Sequence, residues 1–129
     1  MDNRNDGLAW ARLGHRLGRT AAAMLDDPTS FRVFDFPRSS HYVQWHGEHG
    51  REFYAEASSG AYGVGAISAE QDAQLAALGW DPPWQGWGGD DVLNYSRHWT
   101  APVPVYEVVR LTLITLRDVY GARAADISI

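Results

Sequence analysis

Three short segments between residues 31 and 59 are rich in aromatic and β-branched side chains and are bounded by turn residues. They read FRVFDF, SHYVQWHG and REFYAEASS. Successive side chains of a strand point to opposite faces of a sheet, and composition of this kind is typical of strands. The segments therefore predict three antiparallel strands with one face buried. The letters EHG between the second and third segments predict a tight hairpin connection.

A helix is predicted before these strands. Apolar residues recur there at three- and four-residue steps, which is one helical face: Trp10, Leu13, Leu17, Ala21 and Met24. Asp6 is the expected N-cap, because its carboxylate can accept from free backbone N–H groups of the first turn. Pro28 is expected to end the helix, since it disfavours helical geometry at Asp27.

A second helix is predicted from Ser68, where Gln71 three residues later completes a capping box, to a stop at Gly79. The segment VLNYSRHW, residues 92–99, predicts a fourth strand. Arg97 is the charged residue on its inward side. It is expected either to pair with a carboxylate such as Asp118 or Glu107, or to extend past Trp99.

A long third helix is predicted from Pro102 and Pro104 to Gly121. Its apolar stripe is formed by Val105, Val109, Thr112, Leu116 and Val119, and is widened by Tyr106, Leu113 and Tyr120. So wide an arc implies burial on more than one side, either centrally on the sheet or against a second subunit. The element order α-β-β-β-α-β-α predicts one α+β domain over residues 1–129, with helices packed on one face of an antiparallel sheet.

Composition excludes several classes of protein. The chain of 129 residues has no cysteine, which removes disulfides and thiolate metal sites and fits the cytoplasm. Its N-terminal segment lacks the apolar core typical of a signal peptide, and no run of apolar residues is long enough to be expected to cross a membrane. All eleven cationic residues are arginine and the net charge is −5, which argues against nucleic-acid binding. Arginine without lysine indicates a GC-rich genome, such as an actinobacterial one.

Four of the six tryptophans lie between residues 78 and 99. Trp80, which follows the helix-ending glycine, and Trp99 at a strand end are predicted to be core residues, because large aromatic side chains dominate core burial. Trp84 and Trp87 lie among prolines and glycines. They are either exposed, and so suited to a protein interface or a sugar, or folded back onto the sheet.

Catalytic and metal sites have little support. Strand alternation places His41 and His46 on opposite faces of the sheet, and a solvated hairpin explains Glu48 and His49 better than a metal does. No nucleophile-elbow motif surrounds Ser58. The paired aspartates at 26–27 and 90–91 lie in predicted turns, where adjacent carboxylates are usually solvated and their pKa is not raised by burial. We expect no catalytic residue, no bound metal and no cofactor.

The segments ISAEQDAQLAALGWDPP, LNYSRHW and LITLRDVYG resemble the actinobacterial domains similar to type III secretion chaperones and to YbjN. YVQW and FYAEASS also match words of that family, and the resemblance covers roughly residues 38–129. It implies a chaperone-like α+β fold, often dimeric in the secretion chaperones, and no enzymatic chemistry. QGWGGDD is an insertion relative to the family pattern.

The resulting hypothesis is a cytoplasmic, non-enzymatic, chaperone-like domain that holds a peptide or partner protein. Binding is expected at the sheet edge and the first helix, with Trp10, Trp84 and Trp87 as contacts. The alternatives are a small-molecule or glycan binder that uses the Trp-rich loop, and a structural homodimer formed by the last helix.

Overall fold

A computed structural model describes residues 3–59, 67–83 and 94–129, with side chains described from residue 6 onward. Its elements are α1 (Asn3–Met24), β1 (Phe31–Asp35), β2 (Tyr42–Glu48), β3 (Glu52–Ala57), α2 (Ala69–Leu78), β4 (Tyr95–Trp99) and α3 (Val105–Ile114). The helix α3 continues as a π-helical turn over Thr115–Val119. This order confirms the predicted α+β arrangement.

The four strands form one antiparallel sheet in the order β1-β2-β3-β4, so β1 and β4 are its edges. The register pairs Phe34 with Val43 and Trp45 with Ala55, which places these four side chains on the same face. All four are fully buried. A three-residue 3₁₀ turn, His49–Arg51, joins β2 to β3 and confirms the tight connection.

The helices cover this inner face, and two buried threonines bind the indoles that pack beneath α3. The Nε1 atom of Trp45 donates to Thr112 Oγ1 at 2.9 Å, and Trp80 Nε1 donates to Thr115 Oγ1 at 2.9 Å. A buried indole N–H without an acceptor would be destabilising, so these bonds allow large aromatic residues in the core. Trp80 and Trp99 are buried core residues, as predicted.

The first helix buries the five apolar residues of its predicted face. It begins at Asn3, so Asp6 lies within the first turn and the N-cap prediction was wrong. A carboxylate there still interacts favourably with the helix dipole. The helix packs against α3, where the missing side chain of Gly14 leaves room for Leu113 Cδ1.

The third helix is covered by the sheet and by α1 of its own chain, which accounts for the width of its apolar arc. One residue that was predicted to belong to the buried apolar arc of α3 is exposed instead. Tyr106 is 78% exposed, because it lies in the first turn and faces solvent. The α2 helix has the predicted capping box, in which Ser68 Oγ accepts from Gln71 N at 3.1 Å and Gln71 Oε1 accepts from Ser68 N at 3.0 Å. It ends at Gly79 in the left-handed conformation.

Candidate functional site

The edge strand β1 leaves backbone hydrogen-bonding groups unpaired. Asp35 directs its N–H and C=O away from β2 and exchanges two hydrogen bonds with Ser128, with N···O distances of 3.2 and 2.8 Å. Alternation along an antiparallel strand means that Phe31 and Val33 point the same way. Within the described residues no backbone group pairs with either of them on that side, although Arg32 Nη1 donates to Phe31 O at 2.8 Å.

The opposite edge, β4, is paired by the chain itself. Ser96 exchanges hydrogen bonds of 2.8 and 3.0 Å with Asp81. Asp81 follows Trp80, whose side chain is buried in the core, so the pairing segment is anchored beside the strand. Among the described residues, β4 then leaves His98 with unpaired outward backbone groups, whereas β1 leaves both Phe31 and Val33, so β1 offers the longer run for an added strand.

An open groove of about 500 Å³ lies between β1 and the C-terminal half of α1. Its lining comprises Arg16, Arg19, Thr20, Ala23, Met24, Asp27, Ser30 and Arg32. The sheet edge forms one side of the groove and the helix forms the other. A strand added to β1 would place every second side chain over the groove, because strand side chains alternate between faces.

The turn between α1 and β1 forms the end wall of the groove and is held by local hydrogen bonds. Asp27 Oδ1 accepts from Thr29 N at 3.0 Å and from Thr29 Oγ1 at 2.7 Å, while Ser30 Oγ donates to Asp27 O at 2.6 Å. The two Thr29 donors lower the pKa of Asp27, the side-chain bond more than the backbone bond. Pro28 interrupts the helix here, as the sequence predicted.

Gly47 in β2 fixes this turn against the sheet. A Cβ atom at Gly47 would lie 2.2 Å from Asp27 O and 2.6 Å from Ser30 Oγ. Its N–H donates to Ser30 O at 3.0 Å. Only glycine allows the turn to approach so closely, and this approach determines where β1 begins.

The three predicted contact residues lie in different places. Trp10 is on the buried face of α1 with 5% of its surface exposed, and the guanidinium of Arg117 lies 6.0 Å from its ring centroid. Trp10 does not line the groove, and its Nε1 has no hydrogen-bond partner among the described residues. Trp84 and Trp87, together with the loop invoked for glycan binding, lie outside the described residues. The role of these three tryptophans in partner contact stays a prediction.

The structure separates the histidines, as strand alternation predicted. His41 stacks on Tyr120 with centroids 4.8 Å apart, and its Nδ1 lies 3.2 Å from Ser58 Oγ; burial lowers its pKa. His46 is on the outer face of the sheet, where its Nε2 lies 3.7 Å from Glu56 Oε2. The described residues contain no cluster of three or more potential metal ligands.

Arg97 pairs with neither of the carboxylates proposed for it. Its Nη1 donates to Gly79 O at 2.9 Å, and its guanidinium lies 5.7 Å from the centroid of the Trp99 ring. The expectation that it extends past Trp99 is confirmed. Asp118 instead binds Arg117, with an Nε–Oδ1 distance of 2.8 Å.

Sequence reasoning did not find the groove. In the sequence, Arg16 and Arg19 lie in the predicted first helix outside its apolar face, and Arg32 lies in the strand segment FRVFDF. The sequence signal is that Arg16 and Arg19 occur on one face of the predicted helix and Arg32 occurs near the start of the next strand. Without the tertiary arrangement, nothing indicated that the three side chains line the same cleft.

This sheet, with one open edge beside a helix-walled groove, defines a small α+β binding domain. The chain belongs to the family described as T3SS (YopN, CesT) and YbjN peptide-binding chaperone 3, whose sequence model matches residues 3–126. It is thus a peptide-binding chaperone-like domain, in agreement with the resemblance noted from its sequence. No curated protein and no solved structure matches the chain significantly. None of the helices in the described ranges combines the length and apolar character that a membrane span requires.

Proposed function

We propose that this domain is a non-enzymatic chaperone that binds an extended segment of a partner protein as an additional strand on β1. The observation that carries the proposal is the set of outward backbone groups of Phe31 and Val33, which lack strand partners in the described structure, beside an open groove. Peptide addition to a sheet edge gives affinity through main-chain hydrogen bonds and selectivity through alternate side chains.

The expected affinity is modest. Phe31 and Val33 offer about three free backbone groups, each contributing about 0.5–1.5 kcal/mol net, or roughly 2–4 kcal/mol together. Micromolar binding requires about 8 kcal/mol. Contacts between the segment's side chains and the groove must therefore supply the larger share, which is why the groove belongs to the proposed site.

The proposal includes the three tryptophans. Trp84 and Trp87 are proposed to contact the partner directly, and Trp10 to contribute through its exposed fraction. Alanine at Trp84 and Trp87 is expected to weaken partner binding while urea unfolding stays cooperative with an unchanged midpoint. If the double variant is unfolded, both side chains belong to the core and this contact assignment is wrong.

Proline substitution tests the added strand directly. Val33→Pro removes an outward N–H from β1, and His98→Pro is the matched change at the β4 edge. Proline is tolerated on edge strands when its missing N–H faces away from the sheet. Labelled peptides of alternating Val with Gln or Glu, titrated at millimolar concentration, are expected to shift the β1 amide resonances of the unmodified protein. Val33→Pro should weaken this binding by about 2- to 12-fold through the loss of one backbone hydrogen bond, and His98→Pro should leave it unchanged.

Each variant is first checked for cooperative unfolding. Equal binding by the two proline variants would contradict the proposal, as would a complete absence of β1 shifts with every peptide. We further infer a cytoplasmic location, supported by the lack of cysteine, and an origin in a GC-rich genome, supported by the use of arginine alone.

A further inference from the structure

The groove beside β1 has a charge opposite to that of the whole chain. Three arginines line it, Arg16, Arg19 and Arg32, against the single carboxylate of Asp27, while the chain carries a net charge of −5. In the described residues no carboxylate lies within ion-pairing distance of these arginines. Asp27 is engaged by Thr29. Arg16 and Arg19 are thus available to an external anion. Arg32 donates through Nη1 to Phe31 O and its charge acts weakly on Asp27, but it forms no ion pair among the described residues.

The two sides of an added strand would meet different surfaces. On the helix side, its nearest neighbours on β1 and α1 are Arg32, Arg16 and Arg19. On the other side its neighbours are Phe31, which is 46% exposed, and the half-buried Val33. Cross-strand pairs between such side chains stabilise a sheet when charges are opposite or both members are apolar.

We propose that the bound segment alternates acidic with apolar residues, its carboxylates facing the arginines and its apolar side chains facing Phe31 and Val33. This inference rests on the proposed function and specifies the chemistry of its ligand. Neighbouring side chains on one face of a strand are about 6–7 Å apart. Arg16 and Arg19 are about 4.5 Å apart along the axis of α1. Two carboxylates at alternate positions are therefore within reach of both arginines.

An acidic peptide fits the site better than a nucleic acid does. Both carry negative charge, but only a peptide backbone can pair with the outward groups of Phe31 and Val33. Nucleic acid also has no alternating apolar side chains for those two residues to contact. A single-stranded oligonucleotide accordingly serves as a competitor in the test.

The effect of the charges is expected to be moderate and sensitive to salt. One solvent-exposed ion pair changes affinity by about 1.4- to 5-fold, so three arginines together give roughly 3- to 100-fold. Raising NaCl from about 50 mM to about 500 mM should remove most of this preference, because screening shortens the range of exposed charges.

Fluorescence anisotropy with labelled peptides of alternating sequence tests the inference. In three of the peptides Val alternates with Glu, with Gln or with Lys. A fourth peptide has the same Glu and Val content as the first, but its Glu residues form one block and its Val residues form another. We expect the alternating Glu peptide to bind about tenfold more tightly than the Gln peptide, with the Lys and block peptides weaker still. The double variant Arg16→Gln, Arg19→Gln keeps only Arg32 of the three, and should lower the preference for the Glu peptide over the Gln peptide to about 1.4- to 5-fold or less. Arg12→Gln, also exposed on α1 but outside the groove, is the control and should keep the preference.

The outcomes separate the two proposals. If the Glu and Gln peptides bind equally, and both lose affinity in Val33→Pro, the acidic preference is wrong while strand addition stands. If the double variant keeps the full preference of about tenfold, Arg16 and Arg19 are not its cause. If an oligonucleotide displaces the Glu peptide, and Val33→Pro binds that peptide normally, the groove recognises any polyanion and the inference fails. If no peptide binds, both proposals fail.

Discussion

The two edges of the sheet differ in how the chain completes them. At β4, Ser96 pairs with Asp81, and the neighbouring Trp80 is buried with its indole bound to Thr115. At β1, pairing by the same chain is limited to Asp35 in the described structure, and arginines line the adjacent cleft. In the described residues, an anchored segment pairs with β4 at its outward residue Ser96, while β1 keeps a run of two outward residues, Phe31 and Val33, without strand partners.

Under the proposed function, protection and binding are divided between the two edges of one small sheet. An unprotected edge is a hazard because it can pair with any extended chain. Here the edge that remains open is short and lies next to exposed charges, which limits the segments it can accept. Stability should therefore depend on the β4 side, and binding on the β1 side.

Removal of the anchor at β4 should have the largest effect. Trp80→Ala is expected to lower the free energy of unfolding by about 3–5 kcal/mol, because a fully packed indole is replaced by a cavity. Trp80→Phe retains most of the packing but loses the bond to Thr115, so a smaller loss of about 1–2 kcal/mol is expected. Urea denaturation measures both.

At the β1 side, Arg19→Gln is the counterpart and should change the free energy of unfolding by no more than about 0.5 kcal/mol. A loss of less than about 1 kcal/mol for Trp80→Ala would show that the β4 edge is not anchored by this residue. The contrast between the two edges would then have to be abandoned.

An intermediate effect is expected where β2 supports the turn before β1. Gly47→Ala forces a methyl group against Asp27 O and Ser30 Oγ, and should cost about 1–3 kcal/mol of stability. Gly18→Ala is the matched control: no atom lies within 4 Å of its added Cβ, so a gain of up to about 1 kcal/mol is expected. Equal stabilities of the two variants would contradict the close approach at Gly47. Because the turn also places β1, Gly47→Ala should weaken peptide binding and Gly18→Ala should not.

The smallest expected effect is a change in the free energy of unfolding at acidic pH. Hydrogen bonds from Thr29 lower the pKa of Asp27 below its ordinary value of 3.8, so the ionised carboxylate stabilises the fold above that pH. The contribution is lost as the pH falls below 3.8 through the lowered pKa. Asp27→Asn should therefore be slightly less stable than the unmodified protein at pH 6, and the difference should shrink in acid.

Thr29→Val removes the side-chain donor and should reduce the same pH dependence. Amide hydrogen exchange would locate the effect, with Ser30 to Val33 losing protection in acid before Ser96 to Trp99. A difference between Asp27→Asn and the unmodified protein that grows below pH 3.8 would reverse the assigned sign.

The fold was largely predictable because its patterns are local. The period of the apolar residues of α1, the capping box at Ser68 and the glycine stop at Gly79 each depend on neighbours in sequence. Errors occurred where tertiary packing decides between local alternatives. Tyr106 fits the helical stripe but lies beyond the area covered by the sheet. Arg97 extends past Trp99 as expected, but the carboxylate partners considered for it were wrong, because it donates to the backbone carbonyl of Gly79.

The candidate site was predictable in outline only. A sheet edge together with the first helix was expected to bind the partner, and the structure does bring β1 and α1 together around a groove. The groove's charge was not foreseen, because Arg32 approaches Arg16 and Arg19 only through the close contact of the turn with Gly47. The sequence pattern instead favoured aromatic residues as contacts, and one of these, Trp10, is largely buried in the core.

The pairing of Ser128 with Asp35 has a consequence for self-association. It occupies one end of β1, so a second copy of the protein that approaches this edge meets two outward-facing residues without strand partners, Phe31 and Val33, in the described part of the chain. Continuous stacking of copies into fibrils needs a longer uninterrupted template. The same short edge is therefore expected to accept one bound strand without supporting continuous polymerisation of the protein.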